Sequence, residues 1–157
     1  MTAFDLDSFL PYRLSLLAHR ASRGFAAYYR DAHDLNNAEW RVLAHLSQAP
    51  LVSVREIQQR TELEKSTVSR AVARLEDRGQ VQKAVDPEDN RLCTLTLTAK
   101  GKRLMRTLSA AAARYQAAAL GALSPAQQRE IERALANLTQ TASLEHDAQL
   151  RTRRLTP

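Results

Sequence analysis

Residues 64–78 read EKSTVSRAVARLEDR, and their pattern is the most informative in the chain about its architecture. Advancing about 100° per residue, as an α-helix does, brings its aliphatic side chains together on one face. These are Val68, Ala71, Val72 and Leu75. The opposite face carries short hydroxyls and arginines, with no bulky apolar group. Its members are Ser66, Arg70, Ala73 and Arg74, flanked by Thr67 and Ser69. The pattern predicts a helix with one face that packs and another that is open to a polar partner.

The flanking segments indicate a winged helix-turn-helix. Ser53 and Glu56 form a capping-box pattern that opens a short helix to about Arg60, and a tight turn separates that helix from residues 64–78. After Gly79, a glycine placed as a helix terminator, the apolar period changes from helical to two. Two strands are therefore predicted, at Val81–Val85 and Arg91–Leu97, and they are joined by the turn-forming run DPEDN.

In a winged helix-turn-helix the second helix of the pair enters the major groove of DNA. Hydroxyls there can reach phosphates or base edges, and an arginine can donate two hydrogen bonds to a guanine. We therefore expect Ser66, Thr67, Ser69 and Arg70 to contact DNA, with Lys65 and Arg74 bound to phosphates. The alternative is an ordinary amphipathic helix whose polar face is only solvated.

Further helices surround this unit, so the predicted fold is mainly α with a small β-hairpin. Residues 5–32 carry apolar side chains at steps of three or four, and Asn36 with Glu39 opens a short helix that ends at Ala49-Pro50. A long helix is expected from Ala99 to Leu120. Another begins after the cap Ser124, with Pro125 in its first position and Gln127 in its third.

Composition limits the classes of protein without selecting one. The net charge is +6, but the excess lies in residues 101–157, which hold nine basic and four acidic residues. Charge alone therefore permits DNA binding without locating it. No long apolar run and no signal-peptide pattern is present, and the single cysteine, Cys93, suits a reducing compartment, so we expect a cytoplasmic protein without a membrane partner.

The sequence resembles the multiple antibiotic resistance regulator (MarR) family. The resemblance rests on NAEWRVL at 37–43, KSTVSRAVARLEDRG at 65–79 and DPEDNR at 86–91, and it extends over nearly the whole chain. It implies a transcription regulator, more commonly a repressor. It also implies that Arg91, oriented by Asp89, reaches into a minor groove, where the negative potential favours arginine. The alternative for Asp86 and Asp89 is that they only form the turn, and for Arg91 that it is a solvent-facing strand residue.

The terminal helices carry longer apolar stripes than a winged helix of this size can cover, which is typical of a protein–protein interface. The resemblance implies that they intertwine in a two-fold homodimer on a palindromic double-stranded operator. The predicted organisation is a dimerisation helix at 1–35, a DNA-binding lobe at 36–98, and dimerisation helices with a basic tail at 99–157. An intrachain bundle is the alternative.

The resemblance also implies a small-molecule effector that binds between the dimerisation helices and the DNA-binding lobe. His19, Arg20, Arg23 and Trp40 lie close enough in sequence to line such a pocket, although a core tryptophan and solvated charges explain them equally well. No effector residue is assigned. Cys93 shares a strand face with Leu95 and Leu97, which favours a buried small side chain over a redox sensor.

Two other classes remain for comparison. The sequence holds no HExxH, CxxC, GxGxxG, GxSxG or GxxxxGK[ST] motif, so we expect no enzyme, metal site or cofactor. A winged-helix module used only for protein–protein assembly is the stronger rival to a DNA-binding regulator. It predicts no preference for duplex DNA and no steep dependence of binding on salt.

Overall fold

The structure is a computed structural model that describes residues 4–49, 51–85 and 93–155, with the backbone alone for Val85, Cys93 and residues 142–155. Its elements follow the order predicted from the sequence, with one added strand. They are α1 (Leu10–His33), α2 (Asn37–Gln48), β1 (Val52–Ser53), α3 (Val54–Thr61), α4 (Lys65–Asp77), β2 (Val81–Val85), β3 (Cys93–Leu97), α5 (Ala99–Leu120) and α6 (Pro125–Leu155).

Reciprocal caps open three of the helices, as the sequence predicts. At α2 the backbone N–H of Glu39 donates to Asn36 Oδ1, and the backbone N–H of Asn36 donates to Glu39 Oε2, both at 2.9 Å. The same pairing opens α3 and α6. Its members there are Ser53 with Glu56 and Ser124 with Gln127. Each cap satisfies backbone donors that have no partner inside the helix.

The first helix begins later than predicted, at Leu10 rather than near residue 5. Pro11 explains the difference. A helix that began at residue 5 would place Pro11 where its backbone nitrogen should donate to the carbonyl of Asp7, and proline has no such N–H. Within α1 the ring sits in the first turn, where no intrahelical donor is needed.

The chain reverses direction at the end of α4 through Gly79, whose φ of +64° lies in the left-handed region that glycine adopts without strain. The backbone N–H of Gly79 donates to the carbonyl of Glu76 at 2.7 Å, and that of Gln80 donates to the carbonyl of Leu75 at 2.8 Å. These bonds close the last turn of α4, so the predicted terminator role of Gly79 is confirmed.

The sheet has three antiparallel strands in the order β1-β3-β2. Val81 pairs with Leu97, and the hairpin register continues to the pair of Val85 and Cys93. The sequence did not predict β1, whose Val52 pairs with Leu95, because two residues are too few to show a period of two. The predicted start of β3 at Arg91 lies outside the described residues.

The core forms where α2, α3, α4 and the sheet meet. Val42, Leu43, Ile57 and Leu95 are fully buried there, and Leu108 of α5 belongs to the same cluster. Leu97 is also buried, as the predicted strand face requires, while the side chain of Cys93 is outside the described part. This core holds α4 against the rest of the lobe.

The contacts divide the chain into two compact units, Met1–Ala113 and Arg114–Pro157. The first contains α1 to α4, the sheet and most of α5; the second contains the end of α5 and α6. The three-part organisation expected from the sequence stays a prediction. Among the described residues, no helix combines the length and apolar character needed to cross a membrane.

Candidate nucleic-acid interface

Helix α4 has the two faces that the sequence predicts. Val68, Ala71, Val72 and Leu75 are buried against the lobe. The other face is open, and its candidate DNA-binding residues are exposed apart from the half-buried Thr67. The exposed ones are Lys65, Ser66, Ser69, Arg70 and Arg74. Small hydroxyls alternate with long cations on this face, so the helix can approach a groove closely while the cations reach outward.

The turn before α4 sets the direction of that open face. Glu62 ends α3 in the left-handed conformation, with φ of 54°. The carbonyl of Glu64 then accepts from the backbone N–H groups of Thr67 and Val68, at 2.9 and 3.1 Å. Helix α2 braces the turn from behind, since Arg41 Nη1 donates to the carbonyl of Thr61 at 2.9 Å. The start of α4 is thus fixed by the backbone hydrogen bonds of Glu64 and by the contact of Arg41 with the end of α3.

An ion pair that the sequence did not reveal joins α4 to α2. Arg74 Nε lies 2.9 Å from Glu39 Oε1, and the Glu39 side chain is 0% exposed whereas that of Arg74 is 53% exposed. Oε1 accepts no hydrogen bond from the described residues, so the contact is electrostatic. The sequence pattern identifies Glu39 only as a cap. The available signal was that Glu39 lies on the same face of α2 as Val42 and Leu43, where a carboxylate needs a cationic partner.

A second arginine, at the C-terminal cap of α4, contacts the segment between α1 and α2. Arg78 Nη1 donates to the backbone carbonyl of Asp34 at 2.7 Å, and its Nη2 donates to Asp34 Oδ2 at 2.5 Å. Asp34 sits just past α1 with φ of 50°, which turns its carbonyl toward α4. Two carboxylates at the α1–α2 corner therefore hold two arginines of the candidate recognition helix.

A concave surface of about 430 Å³ lies between the start of α2 and the open face of α4. Asn36, Leu63, Thr67, Arg70 and Arg74 all border it. Arg70 Nη2 is 3.4 Å from Thr67 Oγ1, a long contact that leaves its guanidinium able to reorient toward a stronger acceptor. The polar lining of this surface consists of two arginines, one hydroxyl and two asparagine side chains, which suits a negatively charged, hydrogen-bond-accepting partner.

The wing is described only at its base. Strands β2 and β3 form this base, and Lys83 on β2 pairs with Glu76 of α4. The predicted minor-groove residues Asp89 and Arg91 lie outside the described residues, as does Asp86. Their roles therefore stay predictions, and the structure brings together only the α4 part of the expected site.

The residues considered for an effector pocket do not gather in one place. Trp40 packs among aromatic side chains, with its ring centroid 5.1 Å from that of Phe25 and 5.7 Å from that of Tyr29, as the core interpretation expects. A small cavity of about 260 Å³ borders Trp40 and Arg41. His19, Arg20 and Arg23 are exposed on α1 and do not line it.

A larger cavity, of about 670 Å³, lies between the end of α2, strand β3 and the first half of α5. Leu46, Leu97 and Met105 give it an apolar wall, and Lys102 and Arg106 add two cations. No sequence pattern singled out these residues because they come from three distant elements. An apolar wall with a few placed polar groups is the usual composition of a small-molecule site.

Two titratable groups on α2 and α3 have shifted pKa values. The pKa of His45 on α2 is lowered by burial, and further by the charges of Arg60 and Arg41. The pKa of Glu56 is lowered mainly by its hydrogen bonds with the Ser53 backbone and side chain. His45 is therefore kept neutral and Glu56 ionised near neutral pH.

Comparison with known proteins agrees with this geometry. A family model described as MarR family matches residues 33–92. The HTH-type transcriptional repressor Rv2887 of Mycobacterium tuberculosis is 31% identical over 100 residues, which are 64% of this chain and 72% of the relative.

Two solved structures extend the similarity over most of the chain. The PcaV transcriptional regulator from Streptomyces coelicolor, in complex with its natural ligand, is 27% identical, with a TM-score of 0.71 over 90% of this chain and 99% of that one. A MarR family transcriptional regulator from Silicibacter pomeroyi is also 27% identical, with a TM-score of 0.77 over 87% of this chain and 91% of that one. With the winged helix-turn-helix and its cationic open face, these matches show that the chain belongs to the MarR family of transcription regulators.

Proposed function

We propose that this regulator is a repressor that binds a palindromic DNA operator as a homodimer, with α4 in the major groove. The observation that carries the proposal is the division of α4 into a fully packed aliphatic face and an open face of hydroxyls and arginines. A polar solvent face alone is common to amphipathic helices, but here it belongs to the second helix of a helix-turn-helix that is followed by a β-hairpin, the helix that enters the major groove in this motif. Double-stranded DNA is the partner whose groove and phosphates match that face.

Exposed apolar side chains support a homodimer. On α1, Leu10, Tyr12 and Leu17 are exposed, and Leu17 is 64% exposed. On α6, Ile131, Leu135 and Leu138 are exposed at helical spacing, with Leu135 at 50%. Monomeric proteins rarely leave such stripes open, and a second copy of the chain would cover both. A two-fold dimer presents two copies of α4 to one side of DNA, so its operator is a palindrome with half-sites about one helical turn apart.

Small-molecule release is the third part of the proposal. The cavity of about 670 Å³ beside α5 has cations and an apolar wall, and the similar protein PcaV is described with a natural ligand. An anionic effector that fits the cavity better in one conformation than in another would shift the protein toward that state and change its affinity for DNA. Displacement of bound operator by candidate anions, compared between the wild type and Lys102→Gln, tests this part. Release that is equal in both proteins would exclude this cavity.

Selection of bound sequences from a random duplex pool tests DNA binding and symmetry together. The proposal predicts an enriched inverted repeat whose half-sites are separated by one turn of DNA. Enrichment of a single unrepeated motif would contradict the dimer but keep DNA recognition. No enrichment, with weak binding that responds little to salt, would instead support a protein–protein assembly module.

A further inference from the structure

The buried carboxylate of Glu39 has no role in the function proposed so far. It is fully buried, yet it belongs to α2, behind the face that would meet DNA. Burial of a carboxylate is unfavourable unless the charge is paired. One oxygen, Oε2, accepts from the backbone of Asn36, and the other, Oε1, lies 2.9 Å from Arg74 Nε. The helix cap therefore explains only Oε2, whereas Oε1 faces Arg74, a candidate DNA-binding residue.

Arg74 and Arg78 differ in how many guanidinium N–H groups are left to bind a partner. Both terminal nitrogens of Arg78 donate to Asp34, so its role is structural. Arg74 is held by charge alone, and within the described part of the chain its guanidinium donates no hydrogen bond. About half of its side chain is exposed and borders the concave surface beside Arg70. Arg74 is anchored on one side while its N–H groups stay available on the other.

We propose that Glu39 is a positioning residue for DNA binding, and that it holds the guanidinium of Arg74 where it donates to a backbone phosphate. This inference rests on the proposed DNA-binding function. An unanchored arginine loses rotamer freedom when it binds a phosphate, whereas Arg74 has already lost part of that freedom in the free protein. The buried carboxylate thereby improves binding to an anion, although its own charge repels that anion.

The direction in which Glu39→Gln changes DNA affinity distinguishes a positioning role from a simple effect of net charge. Glu39→Gln keeps a capping residue at the third helical position, since glutamine serves there as glutamate does. It removes one negative charge near the DNA face. If only net charge matters, the variant binds DNA more tightly. If Glu39 positions Arg74, the variant binds its specific operator about tenfold more weakly, as expected when one charge-assisted hydrogen bond to DNA is removed.

Glu56→Gln is the matched control. Glu56 occupies the same position in the capping box of α3, and its substitution changes the net charge by the same amount. Its side chain pairs with Arg60 of the same helix at 4.0 Å and not with α4. We expect Glu56→Gln to leave operator affinity unchanged or slightly higher.

The experiment measures operator affinity of the full-length protein over a salt series, on a duplex obtained from the random pool. For Glu39→Gln the slope of log affinity against log salt should become shallower by about 0.9 for each B-DNA phosphate that the protein no longer neutralises. Arg74→Lys keeps the charge but not the guanidinium, and it should show the same weakening of binding. It also serves as the second test if Glu39→Gln does not fold. In the Arg74→Lys background, Glu39→Gln should weaken binding no further.

The outcomes separate the two proposals. Tighter or equal binding by Glu39→Gln, with an unchanged salt slope, overturns the positioning role and leaves the DNA-binding function intact. Weaker binding by Glu39→Gln with an unchanged slope also overturns it, because the interaction removed is then not one with a phosphate. If the wild type binds no duplex, the proposed function and this inference fail together.

Discussion

Arg70 lies at the centre of the open face of α4, and its Nη2 donates to Thr67 Oγ1 at 3.4 Å. We predict that Arg70→Ala costs about 1–3 kcal/mol of operator binding and relaxes specificity at one base-pair position, as removal of a bidentate hydrogen bond to a base would. Binding to a panel of operators with single substitutions measures both effects. Lys65→Ala is the control, and it should weaken all operators alike. A uniform weakening for Arg70→Ala would show that Arg70 binds a phosphate instead.

Gly101, in the first turn of α5, has a reason to be glycine that the sequence did not show. A Cβ atom there would lie 2.0 Å from the backbone oxygen of Gln80 and 3.3 Å from Leu97 Cδ2. Thr98 fixes this approach, since its Oγ1 donates to the carbonyl of Gly79 at 2.7 Å and accepts from the backbone N–H of Gly101 at 3.1 Å. The first turn of α5 is therefore in direct contact with the backbone that follows α4.

We predict that Gly101→Ala lowers the free energy of unfolding by roughly 1–3 kcal/mol, because the backbone must move to admit the methyl group. Urea unfolding measures the change. Gly24→Ala is the control, since Gly24 is exposed within α1 and alanine there should raise stability by about 0.5–1 kcal/mol. A gain in stability for both variants would contradict the close backbone approach at Gly101.

At the level of elements, the features that can be predicted from the sequence are those set by residues close together in the chain. The caps at Asn36, Ser53 and Ser124 and the terminator Gly79 act within a few residues, and the structure confirms them. The packed face of α4 follows from its helical period alone. Strand β1 and the Glu39–Arg74 ion pair were missed because each depends on a partner more than 30 residues away in the chain.

Helix α2 also carries a pH dependence, through His45. Because the pKa of His45 in the folded protein lies below its ordinary value of 6.5, protonation favours the unfolded chain. The stability contribution of the neutral imidazole is present above that value, and it is lost as the pH falls through 6.5 toward the folded pKa. Burial is the main cause, and Arg60 and Arg41 add to it.

We predict that the free energy of unfolding of the wild type falls relative to that of His45→Gln as the pH is lowered below about 6.5. Denaturant unfolding of both proteins over a pH series measures this difference, and the other titrating groups cancel in the comparison. Arg60→Gln should make the difference smaller. A difference that stays constant with pH would mean that His45 titrates as it does in the unfolded chain.

At the scale of the whole molecule, the proposed homodimer rests on the exposed apolar stripes of α1 and α6. We predict that Leu135→Glu, and separately Leu17→Glu, shifts the protein from dimer to monomer, since each places a charge within an apolar contact. Sedimentation velocity at several concentrations measures the shift. Glu132→Gln, an exposed polar position on α6, should leave the dimer unchanged. A wild type that sediments as a monomer at all concentrations would contradict the dimer.

Specific DNA binding through α4 predicts a large difference in affinity between two duplexes of equal composition. The affinity of the wild type is compared, over about 50–200 mM salt, between a duplex selected from the random pool and a scrambled duplex of the same composition. We predict that the selected duplex binds at least about 10³-fold more tightly and that the affinity for both falls steeply as salt rises. Equal affinities for the two duplexes, or binding that does not respond to salt, would contradict the claim.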